Sequence, residues 1–130
     1  MDVRHTCHAA YQMIYHLVWC PKYRRAVLTD GVSDCLVELI GQIVPELGGE
    51  VIELVVRPDH AHLFDHFPRT LAPQQIMARI KGRTSHVLRR EFAALRSRLP
   101  WLWTSRYYCG TAGNVSSETI RTYIEAQKGL

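Results

Sequence analysis

Residues 51–64 read VIELVVRPDHAHLF, and the rest of the predicted sheet is built around them. Two apolar runs flank a Pro-Asp pair, which is typical of a tight turn because proline presets the backbone and aspartate tolerates the bend. The stretch therefore predicts a β-hairpin. Side chains two apart on a strand point the same way, so His60 and His62 should lie together on one face of the hairpin.

The short turn also predicts how the two strands pair. If Arg57 faces His60, then Val55 faces His62, and Glu53 lies on the histidine face. The opposite face is apolar and should pack into the core; its residues are Ile52, Leu54, Val56, Ala61 and Leu63.

Two interpretations of the histidine pair are open at this point. Two imidazoles on one strand face can hold a metal ion, and they can equally be polar side chains on a solvent-exposed face. Further along the strand, Asp65 falls on the core face, which predicts an early strand end or a bulge. His66 shares the face of the pair, and we interpret it as a strand-end residue rather than a ligand.

Other segments surround this hairpin in the order β-α-β-β-α-β-α. Aromatic and β-branched residues at 11–20 predict a first strand, and apolar residues at helical spacing predict a helix over 33–47. A second helix should begin at Pro73 and run to about residue 92, with Gly82 as a candidate break.

The end of the chain completes the pattern. Residues 101–111 predict a fourth strand, and Ser116 or Ser117 can cap a last helix. The order predicts an α+β fold, with a ferredoxin-like or RRM-like antiparallel sheet, helices on one face and an added C-terminal helix. No linker or repeat divides the chain, so we expect residues 1–130 to form a single domain.

Composition excludes several classes of protein. The four cysteines are widely spaced with no CxxC pair, which argues against a zinc knuckle or a disulfide framework and suits a reducing compartment. The N-terminus has no apolar signal core, and no apolar run approaches the roughly 18 residues of a membrane span. We therefore expect a soluble, cytoplasmic protein without membrane contact.

Basic residues are concentrated in one segment. The formal net charge is +4, and residues 79–98 hold seven of the sixteen Lys and Arg residues with Glu91 as the only acid. Such a segment can be a solvated helix surface, but a face this one-sided favours a phosphate-bearing partner.

The predicted last helix reads ETIRTYIEAQKGL. Tyr123 and Gln127 are four residues apart and share one helical face. Alone, they would be interpreted as a surface tyrosine and a surface amide.

Taken together, these segments resemble the single-tyrosine HUH transposases of the insertion-sequence two-hundred-like group, which move DNA as single strands. Four stretches carry the resemblance: YHLVWCPKYRR at 15–25, GGEVIELVVRPDHAHL at 48–63, IKGRTS at 80–85 and SETIRTYIEAQ at 117–127. Ala61 is smaller than the residue that the family prefers between the two histidines.

The resemblance implies a function and a set of site residues. Tyr123 would be the nucleophile, and His60, His62 and Gln127 would bind Mg²⁺ or Mn²⁺. The enzyme would cleave and rejoin single-stranded DNA at insertion-sequence ends through a 5′-phosphotyrosine intermediate. It would recognise subterminal DNA hairpins as a homodimer, in which the tyrosine helix of one chain can complete the metal site of the other.

We assign DNA binding to basic residues in two segments: Lys22, Arg24, Arg79, Lys81, Arg83, Arg89 and Arg90. Tyr107 and Tyr108 are rival nucleophiles that rank below Tyr123, because they lie on a predicted strand and lack an amide four residues on. His16 has no clear partner in the sequence and is interpreted as structural.

Two alternatives to an insertion-sequence transposase are open. A related HUH protein could act at chromosomal repeats with the same ligands and tyrosine, and its cleavage-site preference would separate it. A catalytically decayed module could bind nucleic acid only. RNA-binding modules of this topology stack bases on sheet aromatics, whereas the exposed face here carries histidines.

Overall fold

The computed structural model of the chain describes residues 12–113. It contains four strands, β1 (Gln12–Trp19), β2 (Glu50–Arg57), β3 (His60–Pro68) and β4 (Tyr108–Gly113), and three α-helices, α1 (Asp30–Glu46), α2 (Pro73–Glu91) and α3 (Ala93–Arg98). The strands form one sheet in the order β2-β3-β1-β4, and every neighbouring pair is antiparallel. The predicted α+β fold with an antiparallel sheet is confirmed.

The hairpin of β2 and β3 has the predicted register. Arg57 pairs with His60, Val55 with His62 and Glu53 with Phe64. Ala61 and Leu63 are fully buried on the opposite face. The pairing follows the prediction because a two-residue turn leaves only one way to align the strands that it joins.

The early strand end predicted at Asp65 is wrong, and the bulge that was the alternative lies opposite Asp65 in β2 rather than in β3. β3 continues to Pro68, while β2 changes register between Val51 and Glu53 and so accommodates one extra residue. Asp65 therefore keeps its place on the core face, where its side chain is fully buried.

Both long helices cover the core face of the sheet. One buried cluster joins Leu36 and Ile40 of α1, Ile76 and Ile80 of α2, and Leu17 and Leu63 of the sheet. The face that carries His60 and His62 is the opposite one. Within residues 12–113, no helix is both long and apolar enough to cross a membrane.

Four details of the helices and β4 differ from the sequence-based prediction. Helix α1 begins at Asp30, three residues earlier than expected, and α2 runs through Gly82 without a break. Strand β4 begins seven residues later than predicted and ends two residues later, and the short helix α3 was not predicted. The predicted last helix, with Tyr123 and Gln127, lies outside the described residues.

Candidate active site

His60 and His62 stand together at the start of β3. Their ring centroids are 4.8 Å apart and the ring planes meet at 68°. His62 is almost fully buried, while the His60 side chain is 19% exposed. The strand alternation that the sequence predicted thus brings two imidazoles to one place on the sheet.

The turn before β3 orients His60. The Nδ1 atom of His60 lies 2.7 Å from Oδ1 of Asp59, and the other carboxylate oxygen accepts a hydrogen bond from Arg24 Nη2 at 3.2 Å. An ionised carboxylate can only accept, so His60 donates from Nδ1. The hydrogen bond from His60 is also the main reason that the pKa of Asp59 lies below its usual value.

His62 has a corresponding neighbour on β1. Nε2 of His16 lies 3.1 Å from Nδ1 of His62, and both side chains are buried. The sequence-based interpretation of His16 as a residue without a clear partner is therefore wrong. The contact depends on the alignment of β1 with β3, which pairs His16 with Phe64 and so places it diagonally from His62.

Burial keeps the inner histidines neutral. It lowers the pKa of His16 to about 4, with a smaller contribution from His62. Burial also lowers the pKa of His62, and the nearby charges of His60 and Arg57 lower it further. Neutral imidazole is the form that binds metal ions, so at neutral pH His62 is in the state that a metal site requires.

The donor atoms present fit a divalent ion. Nδ1 of each histidine of the pair contacts a neighbouring side chain, so Nε2 is the nitrogen that each can offer to a metal. Within residues 12–113, no group of three His, Cys, Asp or Glu side chains gathers around such a position. Any third protein ligand must therefore be of another type or come from beyond these residues, as the predicted Gln127 does.

A cleft of about 690 Å³ opens beside the pair. Its lining includes both histidines, Arg24, Arg106, Tyr107 and Tyr108. Arg106 was not among the predicted site residues; it lies in the segment before β4, which pairs with the residues that follow β1 through the Pro21–Trp103 bridge. Both rival tyrosines also line this cleft, which the sequence did not predict.

Tyr108 and Tyr107 differ in their surroundings. Tyr108 is 56% exposed and meets the His16 ring edge-on at 5.6 Å between centroids. Tyr107 lies under the Lys81 ammonium, which is 5.6 Å from its ring centroid. The predicted nucleophile, Tyr123, lies outside the described residues.

The predicted DNA-binding residues lie in different parts of the structure. Among them, only Arg24 belongs to the cleft lining. Lys81 is half-buried and donates hydrogen bonds to the backbone oxygens of Thr104 and Arg106 at 2.8 and 3.1 Å. Lys81 therefore links α2 to the segment that contains Thr104 and Arg106, two residues that line the cleft.

The remaining basic residues lie nearer the surface. Arg83 pairs with Glu46 at 2.6 Å, and Arg89 donates to the Leu99 oxygen at 3.0 Å. Arg90 lies 3.5 Å from Glu91, Lys22 lies over the Tyr23 ring, and Arg79 is exposed on α2. Arg89, Arg90 and Arg96 also line an open hollow of about 590 Å³ on the outer side of α2.

The fold and the histidine pair define a class of protein, namely an antiparallel α+β domain with a His-Ala-His site on its open sheet face. The family model described as "Transposase IS200 like" matches residues 9–127. The chain therefore belongs to the IS200-like transposases, and it is a DNA transposase.

Named relatives agree with this family. The chain is 36% identical over 121 residues to the ISDra2 transposase TnpA of Deinococcus radiodurans, which covers 90% of this chain and 85% of that protein. It is 25% identical over 128 residues to the transposase for insertion sequence element IS200 of Salmonella typhimurium, covering 97% and 84% of the two chains.

Two solved structures share the fold. A crystal structure of a candidate transposase from Deinococcus radiodurans R1 has a TM-score of 0.72 and 31% identity, and covers 90% of this chain and 92% of that one. The REP-associated tyrosine transposase bound to a REP hairpin has a TM-score of 0.64 and 18% identity, and covers 87% of this chain and 62% of that one. The second likeness concerns the fold alone.

Proposed function

We propose that this transposase cleaves and rejoins single-stranded DNA at the ends of an insertion sequence through a 5′-phosphotyrosine intermediate. One observation carries the proposal. His60 and His62 share one sheet face beside a cleft, and each has its Nδ1 atom engaged by a neighbouring side chain. Each imidazole can therefore offer Nε2 to a metal ion. A metal-assisted phosphoryl-transfer site requires histidines held in this way.

His60, His62 and Gln127 are the proposed ligands of Mg²⁺ or Mn²⁺. Imidazole nitrogen and amide oxygen suit Mn²⁺ better than Mg²⁺ in affinity, and carboxylate-free sites of this kind leave positions open for phosphate and water. When bound, the ion supplies positive charge that stabilises the negative charge developing on the scissile phosphate. The role of the histidines is to hold it in a fixed place on a rigid strand.

Tyr123 is the proposed nucleophile. Its phenolic oxygen attacks the phosphorus atom, a new tyrosine–phosphorus ester forms, and the bond to the 3′ oxygen breaks. The phenolic proton is lost and the departing 3′ oxygen gains one, so the cleaved strand ends in a free 3′ hydroxyl. A DNA 3′ hydroxyl can later attack the phosphotyrosine and restore the tyrosine, so no external energy source is needed for joining.

Basic surface supports binding of folded DNA strands. Arg24 lies in the cleft, and Arg89 and Arg90 line the hollow on α2, where phosphate oxygens can be contacted without reading bases. A structural neighbour, the REP-associated tyrosine transposase, is bound to a REP hairpin. We propose that subterminal hairpins of the element are the partners of these residues, together with Lys22, Arg79, Lys81 and Arg83.

The proposed working form is a homodimer. The resemblance to the single-tyrosine HUH transposases implies that the helix carrying Tyr123 in one chain can complete the histidine site of the other, and we propose that it does so here.

A second candidate function is action at chromosomal repeats. The likeness to a REP-associated enzyme favours it, but at 18% identity that likeness extends to the fold only. The 36% identical relative is an insertion-sequence transposase, which favours transposition. Cleavage preference separates the two, because a repeat-acting enzyme would cut chromosomal repeat hairpins in preference to the ends of its own element.

The test is a covalent-adduct assay. The full chain is incubated with Mg²⁺ and labelled single strands from the element ends, and a shifted protein–DNA band is expected. Removing the metal with a chelator, or replacing Tyr123 with Phe, should abolish the band while hairpin affinity stays within about threefold, which is under 1 kcal/mol. An adduct that survives the chelator would refute metal dependence, and chromosomal repeats cut faster than element ends would favour the second candidate.

A further inference from the structure

His16 makes a buried contact with one of the two histidines of the site. Its Nε2 atom lies 3.1 Å from Nδ1 of His62, and the two rings are stacked at 14° with centroids 5.3 Å apart. One nitrogen of this pair must donate and the other accept, because two bare nitrogen lone pairs would repel at this distance.

The direction of this hydrogen bond decides which nitrogen His62 offers to the cleft. A neutral imidazole has one N–H group. If His16 donated, the proton of His62 would sit on Nε2 and block it. If His62 donates from Nδ1, its Nε2 keeps a lone pair for a ligand bond, which is the arrangement usual for histidines that bind metals.

His60 provides an internal comparison. Asp59 accepts from Nδ1 of His60 at 2.7 Å, which places the His60 proton on Nδ1. Donation by His62 would give both histidines the same tautomer and leave Nε2 available on each. A charged carboxylate thus orients the more exposed histidine, and a neutral imidazole orients the buried one, where a second charge would be costly.

The surroundings of His16 hold its ring still. It is 1% exposed and stacks on Phe64 with centroids 4.3 Å apart and an angle of 11° between the planes. Its strand, β1, is paired on both sides, with β3 and with β4. A ring packed on a central strand has few rotamers available, so it can fix the orientation of a neighbour.

We propose that His16 is a positioning residue of the metal site, whose Nε2 accepts the Nδ1–H of His62 and so directs Nε2 of His62 to the metal. This inference rests on the proposed function, because it concerns the same site. It adds a residue outside the His-Ala-His segment and assigns the tautomer of His62.

The direct test is the tautomer of His62 in the metal-free protein. Long-range proton–nitrogen correlation spectra of the full chain labelled with ¹⁵N-histidine distinguish a protonated Nδ1 from a protonated Nε2. We expect His62 to be protonated at Nδ1, as His60 is. Protonation at Nε2 would overturn the inference, and this outcome does not depend on whether the enzyme binds metal or cleaves DNA.

Two substitutions test the consequence for binding of Mn²⁺, measured by titration calorimetry. His16→Phe keeps the ring on Phe64 but removes the acceptor, and should weaken Mn²⁺ affinity about tenfold to one-hundredfold. His16→Gln retains an acceptor oxygen and should recover most of that loss. His66→Phe is the matched control, because His66 lies on the same strand face but neighbours Glu50, at 3.8 Å, and should leave the affinity unchanged.

The outcomes separate the two proposals. If His62 is protonated at Nδ1 but the wild-type chain binds no Mn²⁺, the metal-dependent function fails while the orientation by His16 stands. Equal Mn²⁺ affinity for wild type and the Phe variant would overturn the positioning role. If the Phe variant fails to fold, the spectrum of the wild-type protein still decides the tautomer.

Discussion

Two buried polar side chains, His16 and Asp65, differ in their hydrogen bonding. His16 has a close partner in His62, whereas within residues 12–113 neither carboxyl oxygen of Asp65 has a well-formed hydrogen bond and only a weak one reaches it from the Tyr15 backbone amide. Burial raises the pKa of Asp65 to about 8, and the nearby Tyr15 backbone amide offsets this only in part. The side chain is therefore mostly protonated, and uncharged, at neutral pH.

Asp65 should make stability fall as pH rises. The folded chain holds the Asp65 proton up to about pH 8, whereas an unfolded chain releases it near the ordinary aspartate pKa of 3.8. Between these values the folded state binds more protons, so its stability is greatest at the acidic end and decreases toward pH 8, by on the order of a few kcal/mol.

Asp65→Asn should flatten that dependence, because the amide is neutral at every pH. Urea unfolding between pH 5 and pH 9 measures it. Asp34→Asn, which removes an exposed carboxylate from α1, is the control and should leave the wild-type slope in place. If the unfolding free energy of Asp65→Asn changes with pH as steeply as that of the wild type, Asp65 is ionised in the folded chain.

Among the helices and strands, Gly82 shows why the local sequence alone did not predict where α2 continues. Gly82 was a candidate break in α2, yet the helix continues through it. A Cβ atom at Gly82 would meet nothing within 4 Å, so no contact requires a glycine there. Ordering the glycine backbone in a helix costs about 1 kcal/mol relative to alanine. Burial of the α2 apolar face outweighs that cost.

Gly82→Ala should stabilise the protein by about 0.5–1 kcal/mol, since it restricts the unfolded chain without meeting other atoms. Gly49→Ala is the contrasting variant. A Cβ atom there would lie 2.6 Å from the Phe67 ring and 2.7 Å from the His66 backbone oxygen, so this change should destabilise. Thermal unfolding of both variants measures the difference, and a destabilising alanine at 82 would contradict the account of α2.

The hairpin and the two long helices could be predicted because their signals are local. A two-residue turn aligns β2 with β3, and helical spacing is visible within one segment. The His16–His62 contact and the extent of β4 could not be predicted, because they depend on how β1 aligns with strands far along the chain. The third ligand and the nucleophile rest on resemblance.

Helix α2 and the cleft wall are joined by long-range contacts. Lys81 bonds to the Thr104 and Arg106 oxygens, and the indole nitrogen of Trp103 donates to the Thr84 hydroxyl at 2.9 Å. A basic residue on α2 can therefore affect DNA binding through structure as well as through charge.

Lys81→Ala and Arg79→Ala should separate these effects. Loss of the Lys81 hydrogen bonds should lower the free energy of unfolding by about 1–3 kcal/mol and also weaken hairpin binding. Loss of the exposed Arg79 should reduce the slope of log affinity against log salt by about one unit and leave stability unchanged. Urea unfolding and salt-dependent hairpin titrations test the pair, and an unchanged slope for Arg79→Ala would remove that residue from the DNA interface.

At the scale of the whole molecule, the proposed exchange of tyrosine helices has a direct consequence for mixed dimers. Tyr123→Phe chains and His60→Ala chains are each expected to be inactive. In a dimer with exchanged helices, one site receives both lesions and the other receives none, so mixing restores cleavage. If each chain completes its own site, every site carries one lesion and stays inactive.

We expect an equal mixture of these chains, after subunit exchange, to form adduct at about a quarter of the wild-type level. About half of the dimers are mixed, and each has one intact site of two. No recovery in a mixture shown to contain mixed dimers would establish that the tyrosine helix acts within its own chain.

The proposed mechanism requires that Tyr123 is the residue covalently bound to DNA, and peptide mapping of the adduct can identify that residue. Trypsin separates the candidates, because Tyr123 falls in the fragment 122–128 while Tyr107 and Tyr108 fall in 107–121. Mass spectrometry of the digested adduct should find the nucleotide on the fragment 122–128. A nucleotide on 107–121, from the tyrosines that line the cleft, would contradict the account.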